Sequence, residues 1–198
     1  DNWHSIILMV ECQTENPMRI YQSSMMIRHL REFAKRHPNL KPNVLLSYAL
    51  LLGDLHNFTV TDRALLSSLI LDSGVYSVQK SGARQTHEEL YMKFKTFAKY
   101  NSSVWDLIFN FDLHFDLDSY DKNLDYQIDL EQAGIPVVPV IHNIYNNDVD
   151  RILARGLPAH NTVAIGQCDG RTVLDNVKPV VMKLHHAKIG RASCRERV

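Results

Sequence analysis

Residues 69 to 74 are Leu69-Ile70-Leu71-Asp72-Ser73-Gly74, an apolar run that ends in a carboxylate, a hydroxyl and a glycine. Uninterrupted apolar runs of strand length are typical of parallel strands that are covered on both faces. The glycine allows the backbone to turn sharply directly after the run. This stretch therefore predicts a buried strand with polar side chains at its carboxyl end.

Five more apolar runs of strand length alternate with stretches of helical periodicity. The predicted strands are 6–10, 44–52, 69–71, 104–111, 137–141 and 162–165. The predicted helices are 19–36, 62–68, 86–100, 119–133, 147–155 and 172–186. Pro179 is expected to kink or divide the last of these helices.

About six βα units of this kind predict an α/β protein, and more specifically a truncated (β/α)8, TIM-like barrel. An open nucleotide-binding sheet is less favoured, because no GxGxxG or GxxxxGK[ST] sequence follows a predicted strand. A barrel that lacks two units cannot close, so we expect unpaired edges on its first and sixth strands.

Length and composition predict one domain with a tail. The chain has 198 residues, of which 45% are hydrophobic, so residues 1–188 suffice for a single partial barrel. Residues 189–198, IGRASCRERV, resemble a translated sequencing adapter and are predicted to be a non-native tail. Equal numbers of basic and acidic residues, 22 each, exclude a strong overall electrostatic attraction to nucleic acid.

The cellular compartment is predicted from cysteine spacing and from hydropathy. Cys12, Cys168 and Cys194 match no metal-binding or disulfide spacing, which indicates free thiols in a reducing, cytoplasmic compartment. No run of 18 apolar residues and no signal-peptide pattern is present, so we expect no membrane partner.

Polar residues that follow the predicted strands are the candidate site, because active groups of α/β proteins gather at the carboxyl ends of strands. They are Asp72, Ser73, Asp112, His114, Asp116, His142, Asn143, Gly166, Gln167 and Asp169. A carboxylate at Asp72 can accept the N–H donors of a purine-like ring or transfer a proton. The alternative is an Asx-type turn that only shapes the loop.

Residues 71–76, Leu-Asp-Ser-Gly-Val-Tyr, resemble the D-S-G-G-[FY]-Q motif of the tRNA-guanine transglycosylase superfamily, which includes phage and DNA-modifying relatives that handle 7-deazaguanine. The resemblance implies a (β/α)8 barrel that exchanges a guanine-type base in tRNA or DNA for a 7-deazaguanine. Asp72 and Asp112 would be the catalytic pair that binds the base and assists proton transfer. The implied substrate-binding residues are Ser73, Gly74, Tyr76, which would stack on the ring, His142 and Gly166.

The sequence departs from the family pattern at several positions. Val75 replaces the second glycine, no glutamine follows Tyr76, and His142 stands where the family has a Gln-Gly pair. The resemblance places the nucleophilic aspartate and a Cys3His zinc site further along than residue 198. It therefore implies no cofactor within these residues and a zinc ion only in a C-terminal continuation. The implied partners are a nucleobase and tRNA or DNA, and a homodimer stays open.

Two other functions remain open from the residues alone. One is a metal-dependent hydrolase or lyase, for which suitable ligands are Asp112, His114, Asp116 or His142. The simpler alternative for this segment is the first turn of a helix, to which Asp118, Ser119 and Asp121 are suited. A non-catalytic relative that binds a base or nucleic acid is the other alternative. Basic residues of 19–36 and 84–99 either contact phosphates or form the solvated face of a helix.

Overall fold

The computed structural model describes residues 6–11, 19–23, 25–50, 56–75, 78, 86–113, 119–157, 161–169, 173–187 and 191–197. The strands are β1 (Ile6–Glu11), β2 (Arg19–Ser23), β3 (Asn43–Ser47), β4 (Ser68–Asp72), β5 (Leu107–Phe109), β6 (Val137–Val138), β7 (Val140–Ile141), β8 (Thr162–Asp169) and β9 (Arg191–Arg197). The helices are α1 (Ile27–Arg36), α2 (His87–Tyr100), α3 (Ser119–Gln132), α4 (Asp148–Arg155) and α5 (Val173–His186). Short helical turns lie at Tyr48–Leu50, Asn57–Thr61, Arg63–Leu65 and Ser102–Val104.

The strands form one mostly parallel sheet in the order β6-β5-β4-β3-β2-β1-β9-β8-β7. Only β1 runs against its neighbours, β2 and β9. The strands at the two ends of this order, β6 and β7, are consecutive in the chain and are separated by Pro139 alone. This single segment pairs with β5 through Val138 and with β8 through Val140.

Alternate residues of the central strands enter two different apolar clusters. Val44, Leu46, Leu69 and Leu71 pack with helix residues such as Phe94 in one cluster. Their intervening neighbours pack in a second cluster, which consists of Tyr21, Leu45, Ile70, Leu107, Phe109, Val138 and Ala164. Burial on both faces explains why these strands are apolar throughout, as expected in an α/β protein.

The predicted helix 19–36 is wrong in its first half. Residues Arg19–Ser23 form β2, and the helix begins at Ile27. Tyr21 is 2% exposed while Ile20 is 53% exposed, so side chains alternate between the core and solvent as they do in a strand. The Tyr21 hydroxyl donates to Ser68 Oγ of β4 at 2.8 Å, a tertiary contact that the helical periodicity did not indicate.

The other elements are largely as predicted. Helices 86–100, 119–133, 147–155 and 172–186 are confirmed to within one residue at each end, and Pro179 lies inside an undivided α5. The predicted helix 62–68 is wrong, because a single turn at Arg63–Leu65 is followed by β4. Strands 44–52 and 104–111 are shorter than predicted, at Asn43–Ser47 and Leu107–Phe109.

The expectation of unpaired edges is also wrong. β1 pairs with both β2 and β9, and β8 pairs with both β7 and β9. The strand that fills the gap, β9, consists of residues from the predicted tail. Among the described helices, none combines the length and the apolar character that crossing a bilayer requires.

Candidate functional site

Four of the predicted site residues meet at the carboxyl ends of neighbouring strands. Asp72 ends β4 and Ser73 follows it, Asp112 lies three residues after β5, and His142 follows β7 directly. Ser73 Oγ donates to Asp112 Oδ1 at 3.2 Å, and His142 Nε2 lies 2.7 Å from Asp112 Oδ2. All four side chains are at least 95% buried. We call these four residues the strand-end cluster.

Asp72 shapes the turn that carries Ser73. Its Oδ2 accepts hydrogen bonds from Gly74 N at 3.3 Å and from Ser47 Oγ, at the end of β3, at 3.1 Å. The bond from Gly74 N is the Asx-type contact that the sequence analysis gave as the alternative to a role in binding. Both roles are compatible, because an ionised carboxylate can accept about four hydrogen bonds.

Gly74 is required by this turn for two reasons. Its φ of +74° lies in the left-handed region that favours glycine, and a Cβ at this position would lie 3.0 Å from Ala49 Cβ. Ala49 N also donates to Ser73 O at 3.3 Å, so the turn is held against the segment that follows β3. The backbone around Ser73 is therefore closely packed.

The imidazole of His142 lies against the backbone of β8. A Cβ on Gly166 would be 3.0 Å from both His142 Cε1 and His142 Nδ1. Gly166 thus leaves the space that the ring occupies. Gly166 therefore packs against His142, and the substrate-binding role that the family resemblance implied for it stays a prediction.

Several predicted residues are outside the described part of the chain or outside the cluster. Tyr76, His114, Asp116 and Asp118 lie outside the described residues, as do the side chains of Gln167, Asp169 and the three cysteines. Asp121 pairs with Arg151 on the surface, and Asn143 Oδ1 accepts from Tyr145 N at 2.9 Å. His185 and His186 are exposed on α5.

Some of the basic residues considered as phosphate contacts form ion pairs within the protein. Arg31 binds Asp62 at 2.8 Å, Arg36 binds Glu32 at 2.9 Å, and Lys95 Nζ lies 2.6 Å from Asp129 Oδ2. The Arg31 and Lys95 pairs join a helix to another part of the chain, and the Arg36 pair lies within α1.

The sequence analysis missed a polar face on α3. Ser119, Asn123 and Gln127 recur every fourth residue and are each at least 95% buried. Asn123 holds the segment after β5, because its backbone oxygen accepts from Asn110 Nδ2 at 2.9 Å and its Oδ1 accepts from Leu113 N at 3.0 Å. The spacing of four was visible in the sequence and is the signal that identifies this face.

The polar face of α3 lines a small cavity of about 10 Å³ next to the strand-end cluster. The other polar side chains that line it are Asn110, His142 and Asp148. Burial raises the pKa of the Asp148 carboxyl, although a hydrogen bond with Asn146 and the attraction of Arg151 and His142 act in the opposite direction. Asp148, at the start of α4, was not predicted as a site residue.

The contacts of the cluster do not pair Ser73 with a histidine base, as serine nucleophilic catalysis requires. Asp112 lies between Ser73 and His142, whereas activation of a serine requires the histidine to contact the hydroxyl. In the part of the chain that is described, no three His, Cys, Asp or Glu side chains converge as a metal site. Comparisons of the chain with protein-family models, curated proteins and solved structures find no match.

Proposed function

We propose that the strand-end cluster binds a guanine-type base and that the protein is a transglycosylase-like enzyme that exchanges such a base in tRNA or DNA for a 7-deazaguanine. The observation that carries the proposal is the pair of buried carboxylates, Asp72 and Asp112, at the carboxyl ends of neighbouring strands, with Ser73 Oγ donating to Asp112. Guanine and its 7-deaza analogues present adjacent N–H donors, and carboxylates at fixed positions are the acceptors that match them.

The carboxylates are oriented before any base arrives. Asp72 is held by Ser47 and Gly74, and Asp112 is held by Ser73 and His142. An ionised carboxylate can accept about four hydrogen bonds, so these contacts are compatible with a further N–H donor. A site that is already ordered loses less entropy on binding, which increases affinity.

His142 gives the cluster a group that can exchange a proton. Its Nε2 is at ion-pair distance from Asp112 Oδ2, so a proton can move between imidazole and carboxylate as a base enters or leaves. In the proposed exchange, Asp72 and Asp112 recognise the base, Ser73 supports Asp112, and the nucleophile comes from a residue outside this cluster. Tyr76 retains its proposed stacking role.

A closed (β/α) barrel is the architecture that we propose for this function. It is supported by the single segment β6–β7, which pairs with β5 on one side and β8 on the other, and by the separate apolar cluster around Ile70. In such a barrel the carboxyl ends of the strands surround one opening, where the cluster lies. The antiparallel β1 departs from the regular pattern.

The metal-dependent hydrolase is the weaker candidate on this geometry. Two of its proposed ligands, Asp112 and His142, contact each other directly. A metal site would need further ligands, and among the described residues no third His, Cys, Asp or Glu side chain converges with these two. The carboxylate–imidazole contact is therefore better explained by proton exchange with a bound base.

Isothermal titration of guanine and a 7-deazaguanine base into the full chain tests the proposal. Asp72→Asn preserves the size of the side chain but places an amide donor against the N–H groups of the base. We expect affinity to fall by about 10- to 100-fold, the range for losing a hydrogen bond to a charged group. Asp112→Asn is expected to have a similar effect.

Asp125→Asn is the matched control, since Asp125 is an exposed carboxylate on α3. It is expected to leave binding unchanged, and adenine is expected to bind weakly to every variant. Guanine binding that does not respond to Asp72→Asn would place the base elsewhere and overturn the proposal. Base binding without exchange of labelled guanine into tRNA or DNA would favour the non-catalytic relative.

A further inference from the structure

The cavity that His142 shares with α3 and α4 is lined by three residues whose buried polar atoms indicate an occupant. Ser119 Oγ, Asn110 Oδ1 and Asp148 Oδ1 belong to residues that line the cavity and are 1%, 3% and 2% exposed. Within the described part of the chain, no group forms a hydrogen bond with any of these three atoms. Buried polar groups in proteins are nearly always hydrogen-bonded, to protein or to ordered water.

The orientation of Asn110 is set by another contact. Its Nδ2 donates to the backbone oxygen of Asn123 at 2.9 Å, so the atom that remains for a further contact is its acceptor, Oδ1. Asp148 provides a second acceptor, and the Ser119 hydroxyl can donate. Two acceptors and one donor are complementary to one water molecule, which donates twice and accepts at least once.

The size of the cavity also indicates a single water molecule. Its volume of about 10 Å³ is about the lower limit for holding one water molecule. Ca²⁺ needs six to eight oxygen ligands, and Mg²⁺ retains several of its own waters, so neither ion suits three protein oxygens in this space.

We propose that one buried water molecule, held by Ser119, Asn110 and Asp148, packs against the imidazole of His142 and that Asp148 is thereby a positioning residue for this ring. His142 lines the same one-water cavity and faces Asp112 through Nε2. The water thus joins the starts of α3 and α4 to the strand-end cluster. The inference does not depend on base exchange, because its tests measure the water and the ring directly.

A crystal structure of the full chain, at a resolution that shows ordered water, tests the site. We expect one density peak at about 2.7 to 3.2 Å from Ser119 Oγ, Asn110 Oδ1 and Asp148 Oδ1. The inference is overturned by a cavity without density, by side chains rotated into direct contact with each other, or by a peak with the shorter distances and higher coordination of a metal ion.

Nuclear magnetic resonance of the His142 ring tests the positioning role. Asp148→Asn removes the charge but retains an acceptor oxygen, so it should shift the ring signals less than Asp148→Ala, which removes both. Asp150→Ala is the matched control, because Asp150 lies two residues along α4 and is exposed beside Lys183. Ring signals that do not change in Asp148→Ala, or that change equally in Asp150→Ala, would contradict the positioning role. A variant that fails to fold is replaced by Ser119→Ala, which removes the donor and is expected to shift the same signals.

Discussion

Individual residues of the strand-end cluster are constrained by their neighbours in space. Ser73 and His142 both contact Asp112, although the three residues come from three separate strand ends. Glycines make this packing possible, since Gly74 and Gly166 face groups that leave little or no room for a side chain. The loss of stability caused by adding one methyl group at either glycine therefore measures how tightly the cluster is packed.

Gly74→Ala should destabilise the protein through both backbone strain and crowding. The residue has φ of +74°, and the new Cβ would meet Ala49 Cβ at 3.0 Å. We expect a loss of about 2 to 4 kcal/mol in the free energy of unfolding, from about 1 to 2 kcal/mol of strain and a comparable cost of overpacking. Denaturant titration measures it.

Gly134→Ala is the control for the strain alone. Gly134 has φ of +80°, but a Cβ there would have nothing within 4 Å among the described residues. Its cost should be limited to about 1 to 2 kcal/mol. Equal losses at the two positions would mean that the turn at Gly74 is not crowded.

Gly166→Ala should act through His142. The added Cβ would be 3.0 Å from His142 Cε1, so the ring must shift, and we expect a loss of about 1 to 3 kcal/mol in the free energy of unfolding. When His142 is already replaced by alanine, the loss of stability caused by Gly166→Ala should be smaller by at least about 0.5 kcal/mol, because the two positions are in contact. Additive losses in this double-mutant cycle would show that Val140, also at 3.0 Å, accounts for the clash.

At the scale of elements, polar contacts join neighbouring helices over the sheet. Asp129 of α3 accepts from the Tyr91 hydroxyl and from Lys95 Nζ, both on α2. Hydrogen bonds from Lys95 and then Tyr91 lower the pKa of the Asp129 carboxyl below its ordinary value of 3.8. A carboxyl whose pKa is lower in the folded state stabilises the protein only while it is ionised.

Asp129→Asn should therefore reduce stability in a pH-dependent way. The difference from the original protein should be complete above the ordinary pKa near 3.8 and should disappear as pH falls through the lower folded-state pKa. Because the Asp129 side chain is 46% exposed, we expect only about 0.5 to 1 kcal/mol at neutral pH. Urea midpoints across a pH series measure the effect, and the control Asp125→Asn should show none. A difference in stability between Asp129→Asn and the original protein that is constant at all pH values would exclude the ionic contribution.

For the whole molecule, the sheet depends on residues from both ends of the described chain. β9 (Arg191–Arg197) lies between β1 and β8 and pairs with both. These residues belong to the segment predicted to derive from an adapter, and its origin stays a prediction. The pairing of β9 covers edges of β1 and β8, and unpaired strand edges promote association between chains.

A chain that ends at residue 188 should expose the edges of β1 and β8. We expect a lower melting temperature and self-association, measured by thermal unfolding and by light scattering after size-exclusion chromatography. Replacement of residues 191–197 by a Gly/Ser segment should behave like the truncation, because such a segment forms strands poorly. A truncated chain that stays monomeric with an unchanged melting temperature would show that β9 adds no stability.

The sequence by itself determined the local elements whose signals are contained within a few residues. The helix predicted over 86–100 is α2, where Thr86 Oγ1 accepts from Glu89 N, and the apolar run before Asp72 predicted β4. It also singled out Asp72, Ser73, Asp112 and His142 by their place after strands. The inferences about helices and strands succeed because hydrophobic periodicity and capping act over a single element.

Only the tertiary structure decided which residues meet. β2 was mistaken for helix because Tyr21 is buried by residues distant in sequence, such as Leu45 and Ile70, and its hydroxyl bonds Ser68, which lies 47 positions away. The contacts of Asp112 with Ser73 and His142, and the cavity around Asp148, depend on strand order and on the packing of α3 and α4. Contacts between residues distant in sequence leave no local pattern, so the cluster and its cavity became visible only in three dimensions.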